Sequence, residues 1–482
     1  MDLRYASARG RWVLAATVLG SAVASLDATV VGIALPAIGR DFGTGLANLQ
    51  WIVTGYTLTL AGLLLVAGAL GDRYGRRRVF VIGVVWFAVA SALCAVAPNP
   101  GALIAARALQ GVGGALLTPG SLAILEASFH PDDRGRAIGA WSGLSGVATA
   151  VGPFVGGWLV QAGSWRLIFL INLPVAALVV ALAVRHVPES RAPDATGRID
   201  LAGGTLVTLG LVGLTYGLIR GASGVPAIVA GGVLIVAFLL LERRISRPML
   251  PLGLFRSVPF SATNAVTFVV YGALGGALFL LPIQLQQVSG YSALEAGISL
   301  LPVTAITLAL SARSGALAAR IGPRLQMTVG PIVIGAGFAL FTWIGPSGDY
   351  ISEVLPGVAV FGLGLAITVA PLTSTVLAAV PAERAGTASA VNNDVARTAS
   401  LIAVAVFPAA AGITGDAYLH PASFSAGFHT AVLIAASLCA LAGLVAAATI
   451  RNPRRAAPEP GFHCPMDAPP LRTGRPVTSR SR

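Results

Sequence analysis

Long apolar stretches, separated by short polar turns, occupy most of the 482-residue chain. They are continuous rather than alternating, which excludes half-buried strands. Each holds roughly 20 residues, enough helix to cross about 30 Å of hydrocarbon. Inside a bilayer every backbone polar group must find a partner within the protein, so unbroken apolar runs are spanning helices. The pattern predicts about fourteen spans. They lie near 12–34, 49–70, 79–97, 101–124, 137–160, 166–184, 201–219, 226–241, 258–281, 296–312, 327–345, 354–372, 386–411 and 427–450. The first follows Arg4, Arg9 and Arg11 as a signal peptide would, but its length and its internal Asp27 predict an uncleaved span. The segment 452–482 is rich in Pro and Arg and lacks apolar periodicity, the composition of a disordered tail.

Composition agrees with this reading. Hydrophobic residues make up 55% of the chain and charged residues 11%, against about 25% charged in soluble domains. The net charge of +13 would suit a nucleic-acid surface if it were spread over one face. It is not. Of the 32 basic residues, all Arg, 27 fall in the two termini and in alternate loops, 3 in the opposite loops and 2, Arg107 and Arg397, within spans. That asymmetry is the positive-inside signal. It predicts both termini in the cytoplasm of a bacterial cell, with the chain in the cytoplasmic membrane and no nucleic acid as partner. The absence of Lys excludes a Walker A loop, which needs a Lys at the phosphates. The five His show no ligand spacing, and Cys94, Cys439 and Cys464 form no disulfide framework. These features predict neither an enzyme nor a cofactor; the proton gradient is the expected energy source.

One loop occurs twice. Gly68-x-Leu70-Gly71-Asp72-Arg73-x-Gly75-Arg76-Arg77-Arg78 follows the second span, and Gly315-x-Leu317-Ala318-Ala319-Arg320-x-Gly322-Pro323-Arg324 follows the tenth, 247 residues later. A repeat in one orientation implies two parallel halves. The expected organisation is a cytoplasmic N-terminus (1–11), a six-helix bundle (12–198), two inserted helices and a linker (199–257), a second six-helix bundle (258–451) and the tail (452–482).

The first copy resembles the loop signature of the major facilitator superfamily, and the chain resembles that superfamily's fourteen-spanner drug/proton antiporters over nearly its full length. Leu26-Asp27-x-Thr29-Val30-Val31-Gly32-x-Ala34-Leu35-Pro36 and Arg107-x-x-Gln110-Gly111-x-Gly113-Gly114 support the likeness. So do Gly146-x5-Gly152-Pro153-x-x-Gly156-Gly157, Trp165-Arg166 and Asn172-x-Pro174. Gly32 departs from it, standing where such sequences carry Asn. The resemblance implies an all-α membrane protein of major facilitator fold. It implies proton-coupled export of small amphipathic drugs or antibiotic-like metabolites by alternating access. A secondary transporter for another solute is the alternative, and a scaffold or sensor on a transporter fold is the third class.

Asp27 is the leading coupling candidate, because an ionisable residue inside a span is costly and functional by default. Arg107 is its expected partner. Both sit roughly 10 Å from the outer ends of oppositely running spans, at 1.5 Å per residue. Burial disfavours the charged carboxylate and an adjacent Arg favours it, so a movable contact could switch proton affinity; a fixed ion pair is the competing reading. Gly68, Asp72, Arg73, Gly75, Arg76 and Arg77 form the repeated loop, for which the resemblance implies a conformational gate pairing across the halves. Gly139, Gly143, Gly146, Ala150, Pro153 and Gly157 recur at spacings of 4, 3, 4, 3 and 4, a small-residue face for close helix contact; Gly152 and Gly156 complete the antiporter motif. Asp394 and Arg397 share a helical face, where they could neutralise each other or serve substrate or coupling. Asn393 and Gln284 are further polar candidates.

Overall fold

The computed structural model describes residues 3–192, 200–245, 248–381 and 384–452. The tail expected to be disordered lies outside the described residues from Pro453 onward. Among the described residues the regular structure is helical, apart from one isolated bridge between Leu3 and Phe129. The long helices are α1 (Ala8–Phe42), α2 (Leu46–Tyr74), α3 (Arg76–Ala95), α4 (Pro100–Ser128) and α5 (Pro131–Ala162). They continue with α6 (Leu167–His186), α7 (Leu201–Arg220), α8 (Val225–Arg244) and α9 (Val258–Ile283). The last are α10 (Ala293–Ile321), α11 (Arg324–Leu340), α12 (Leu355–Ala378), α13 (Ala385–Ala410) and α14 (Pro421–Thr449).

Twelve helical stretches among the described residues are long and apolar enough to cross a membrane, so this is a multi-pass membrane protein. One of them, Leu201–Arg244, contains both α7 and α8, and α13 is not among the twelve.

Helices outrun the apolar stretches because polar caps, not the hydrocarbon edge, stop them. Ser7 caps α1 by accepting from Gly10 N, and Gly43 ends it at φ 57°. Asn99 caps α4, Asp200 caps α7, and Ser292 with Glu295 forms a capping box on α10.

The two halves share one packing plan. In the first, α3 packs on α4, α2 on α4, α1 on α5, α3 on α6 and α1 on α6. The second repeats every pair as α11 on α12, α10 on α12, α9 on α13, α11 on α14 and α9 on α14. The repeated loop is symmetric in backbone detail. Gly75 and Gly322 end α2 and α10 at φ 115° and 88°, a region that only glycine enters without strain. Beyond each glycine, the segment after its half's sixth helix caps the next helix. Arg77 N donates to Glu189 Oε1 at 3.0 Å and Arg324 N to Asn452 Oδ1 at 3.0 Å. Gly75→Ala should cost about 1–3 kcal/mol through the strained φ and through a Cβ placed 2.7 Å from Glu189 Oε1. A thermal melt of the purified variant checks this; an unchanged melting temperature would contradict it.

α7 and α8 form a glycine-lined hairpin in which Gly210, Gly213 and Gly217 face Ile235, Gly231, Ile228 and Gly224. α7 packs on α2 and on α13, and Leu58, Leu211 and Leu401 meet where the three helices converge.

Candidate functional site

α1, α3, α4 and α6 bring five polar side chains together inside the first half. Arg107 Nη1 donates to Asp27 Oδ2 at 2.5 Å, and both residues are 1% exposed or less. Asp27 Oδ1 accepts from Gln110 Nε2 at 2.8 Å and from Asn172 Nδ2 at 3.0 Å. Both amides also donate to Ser91 Oγ, at 2.7 and 3.2 Å. Arg107 is held three further ways: Nη1 to Gln110 Oε1 (2.6 Å), Nε to Ile52 O (3.1 Å), and its guanidinium 4.4 Å from the centre of the Tyr56 ring.

Local sequence explains the convergence. Gln110 lies one turn from Arg107 and shares its face. Gly20 lets Phe80 of α3 approach α1. α6 breaks at Ile171, so Asn172 opens its second part beside Pro174. Sequence reasoning paired Asp27 with Arg107 but gave no role to Gln110, Ser91 or Asn172. The Arg107-x-x-Gln110 spacing was the readable signal for the first; nothing in the sequence aims Ser91.

The two halves touch at the end opposite the arginine-rich loops. Gln50 Nε2 of α2 donates to Val404 O (2.7 Å) and Ala405 O (3.3 Å) of α13, and Gln286 Nε2 beyond α9 donates to Ile33 O of α1 (2.9 Å). The antiporter motif of α5 splits over two faces. Gly152 and Gly156 seat α1 at Thr29 and Val30. Gly157 and Pro153 meet the second half at Ala293 and Gly297, and Thr304 Oγ1 reaches Ala150 O at 3.3 Å. Gly139, Gly143 and Gly146, expected on the same close-packed face, have no neighbour within 4 Å of an added Cβ. That part of the expectation is corrected: α5 and α10 separate below Ala150, because the halves are parted at the arginine-rich end. Gly157→Ala would place a Cβ 2.8 Å from Leu294 Cα, backbone that cannot swing aside. The variant should loosen the sealed end and speed alkylation of a cysteine placed at Gly32 by an impermeant reagent applied there. An unchanged rate would show that the seal does not depend on this contact.

For the loop Gly68–Arg78 the resemblance implies pairing across the halves in one transport state. In the state seen here, among the described residues, Asp72 has its partners within the first half. Its Oδ1 accepts from Arg76 Nε (2.9 Å) and Nη2 (2.8 Å), and its backbone carbonyl accepts from Ala192 N. Arg76 also reaches Ala123 O, and Arg77 pairs with Glu189 at 3.7 Å, all within the first half. Among the described residues, Asp72, Arg76 and Arg77 thus find these partners within their own bundle. Gly68 has only Pro119 nearby.

Of the remaining candidates, Gln284 is not at the boundary between halves. It donates to Ile344 O and Ser425 Oγ inside the second bundle, both at 3.1 Å. Asp394 and Arg397 share a face of α13 but do not neutralise each other as a salt bridge, and Asp394 Oδ1 is buried without a hydrogen-bond partner. Asn393 is exposed beside them and donates to Ser389 O of its own helix.

Residues 17–405 match the family model of the Major Facilitator Superfamily. The chain is 37% identical over 410 residues to the tetracenomycin C resistance and export protein of Streptomyces glaucescens, covering 83% of this chain and 76% of that one. It is 35% identical over 476 residues to a puromycin resistance protein of Streptomyces alboniger, covering 93% of each. It is 35% identical to a methylenomycin A resistance protein of Bacillus subtilis, covering 91% of this chain and 94% of that one. Among solved structures it superimposes on a bacterial homologue of the human lysosomal transporter Spinster in an inward-facing, unoccupied conformation (TM-score 0.67, 16% identity, 92% and 97% covered). It superimposes also on a D-xylose–proton symporter (TM-score 0.65, 15% identity, 92% and 98% covered). At such identities the structural likeness concerns the fold alone. The family match, the repeated packing plan and the sequence relatives agree: this chain is a membrane transporter and belongs to the major facilitator superfamily.

Proposed function

We propose that the protein is a proton-coupled antiporter exporting small amphipathic, antibiotic-like compounds across the cytoplasmic membrane. The sequence relatives named for antibiotic resistance and export support the substrate class. The observation that carries the coupling is the Asp27 carboxylate, which accepts three hydrogen bonds, two from α4 and one from α6, while lying at most 1% exposed on α1. Protonation turns one of its oxygens from acceptor to donor, so at least one of those donors must withdraw. The contact of α1 with α4 and α6 then depends on whether Asp27 holds a proton. Since α1 also seats α5 and meets the second half at Ile33 and Gln286, the proton is linked to the surfaces on which the halves rock.

The arginine-rich end is taken as cytoplasmic by the positive-inside rule, which puts both ends of the chain inside. The chain then crosses fourteen times. The 44-residue stretch Leu201–Arg244 is twice the length a bilayer needs and folds back at Gly221, where φ is 64°. α13, 26 residues long, runs parallel to α9, with Asn392 beside Asn264 and Ser400 beside Gly275, and carries Asp394 and Arg397 as its intramembrane charges. In this orientation the structure is open to the cytoplasm and sealed outside.

Proteoliposomes with an imposed pH gradient provide the test. An amphipathic dye should move uphill against incoming protons without nucleotide, and a protonophore should abolish the movement. Uphill movement that survives the protonophore would defeat the proton coupling.

A further inference from the structure

Two opposite charges in the middle of α13 belong to none of the contacts described above. At 1.5 Å per residue, Asp394 and Arg397 stand about 14 and 18 Å from the first residue of α13, well inside the hydrocarbon layer. The opposite face of α13 is committed to α9: Asn392 Nδ2 donates to Asn264 Oδ1 (3.1 Å) and Thr267 Oγ1 (2.8 Å). The face carrying Asp394 continues two turns on to Leu401, which packs on Leu58 of α2 and Leu211 of α7. That face is therefore turned toward the first half. At Leu401 the halves are in contact; nearer the arginine-rich end they part. Both charged residues are partly exposed there, beside the exposed Asn393.

Among the described residues neither charge is in a salt bridge. Asp394 Oδ1 has no hydrogen-bond partner. Charges at this depth are expensive and normally partnered. A pairing between them is sterically open at this spacing, and a ligand that satisfies both groups would take its place. Side chains one turn apart on a helix are about 5–6 Å apart at Cβ. Their joint complement is a molecule with a basic and an acidic group at that separation.

We propose that Asp394 and Arg397 are the polar anchor of the substrate site, and that they select zwitterionic amphiphiles carrying one basic and one acidic group on an apolar scaffold. This rests on the export reading above. Asp394 takes the substrate's cation, Arg397 takes its anion, and the apolar wall around Leu401 takes the scaffold.

Three dyes on one xanthene scaffold test this in proteoliposomes with a pH gradient: rhodamine 6G as cation, rhodamine B as zwitterion and fluorescein as anion. The wild type should show its lowest KM for rhodamine B. Asp394→Asn should raise that KM about tenfold and shift the rhodamine 6G to fluorescein transport ratio toward the anion. Arg397→Gln should raise it similarly and shift the ratio toward the cation. Ratios between dyes are insensitive to the amount of folded protein, so a folding defect cannot imitate this result. Uphill transport with ratios unmoved by both substitutions overturns the anchor alone. Wild-type protein that moves none of the dyes uphill counts against the export reading and takes the anchor with it.

Discussion

Asp27→Asn should still fold, with a lower melting temperature because Arg107 loses its counter-charge, and should lose uphill transport. The amide retains one acceptor oxygen for Gln110 and Asn172 or for Arg107, and its volume matches the carboxyl that it replaces. It cannot take up or release a proton, so the arrangement of α1 against α4 and α6 no longer responds to pH. Dye efflux driven by a pH gradient should fall by about 100-fold, equivalent to about 2.7 kcal/mol at 1.36 kcal/mol per decade. Downhill exchange of the same dye should persist, because rocking needs no proton when no gradient is being spent. Parallel measurements of uphill and downhill flux in proteoliposomes separate the two. An Asp27→Asn protein that still concentrates dye against its gradient would remove Asp27 from the coupling mechanism and leave the competing reading, a fixed structural ion pair.

The largest stability effect is expected at Arg107. Arg107→Gln leaves Asp27 buried without its counter-charge, a change that costs about 3–5 kcal/mol when one member of a buried pair is removed. It also strips donors from Ile52 O and Gln110 Oε1 and the cation from the Tyr56 face. Arg107→Lys should rescue little. One ammonium cannot reach Asp27, Gln110 and Ile52 together or lie flat on the ring, as the guanidinium does. Thermal unfolding in detergent should show both single variants well below the wild type. The double variant Asp27→Asn with Arg107→Gln should regain most of the loss, since no charge remains unpaired, while uphill transport stays absent. Equal melting temperatures for Arg107→Gln and the double variant would mean that the destabilisation comes from lost packing rather than from the bared carboxylate.

The pairing of Asp27 with Arg107 was legible because two conditions coincide. Each residue is the sole charge in the middle of a long apolar run, and the polar turns marking the ends of those runs set a depth for each. Depth along a helix follows from residue count alone. Azimuth does not. Ser91 and Asn172 complete the site only because Phe80 seats α3 against Gly20 and because α6 breaks at Ile171. The break has a local mark in Pro174, but the seating of Phe80 against Gly20 has no signature in local composition. The same limit explains Gln284, a polar residue in an apolar span that proved to face Ile344 and Ser425 within its own bundle. It explains α5 too. The spacing of its small residues described a continuous stripe, but only the part from Ala150 onward meets the second half, because how far the halves are parted is a property of the assembled state.

The sequence by itself determined that this chain spans a membrane many times, that it is built as a repeated half, and that a few charges stand at set depths within its spans. Those properties follow from hydrophobic run length, from the distribution of Arg and from a loop written twice, all of them one-dimensional. Only the tertiary structure decided which charges meet. It joined Asp27 to Arg107, Gln110 and Asn172, turned Asp72 back onto Arg76, and left Asp394 and Arg397 without a salt bridge on a face turned toward the other half. The physical reason is that a hydrogen bond forms over about 3 Å, whereas helical periodicity places a side chain only to within the rotation of its helix, and that rotation is set by the packing of the neighbours.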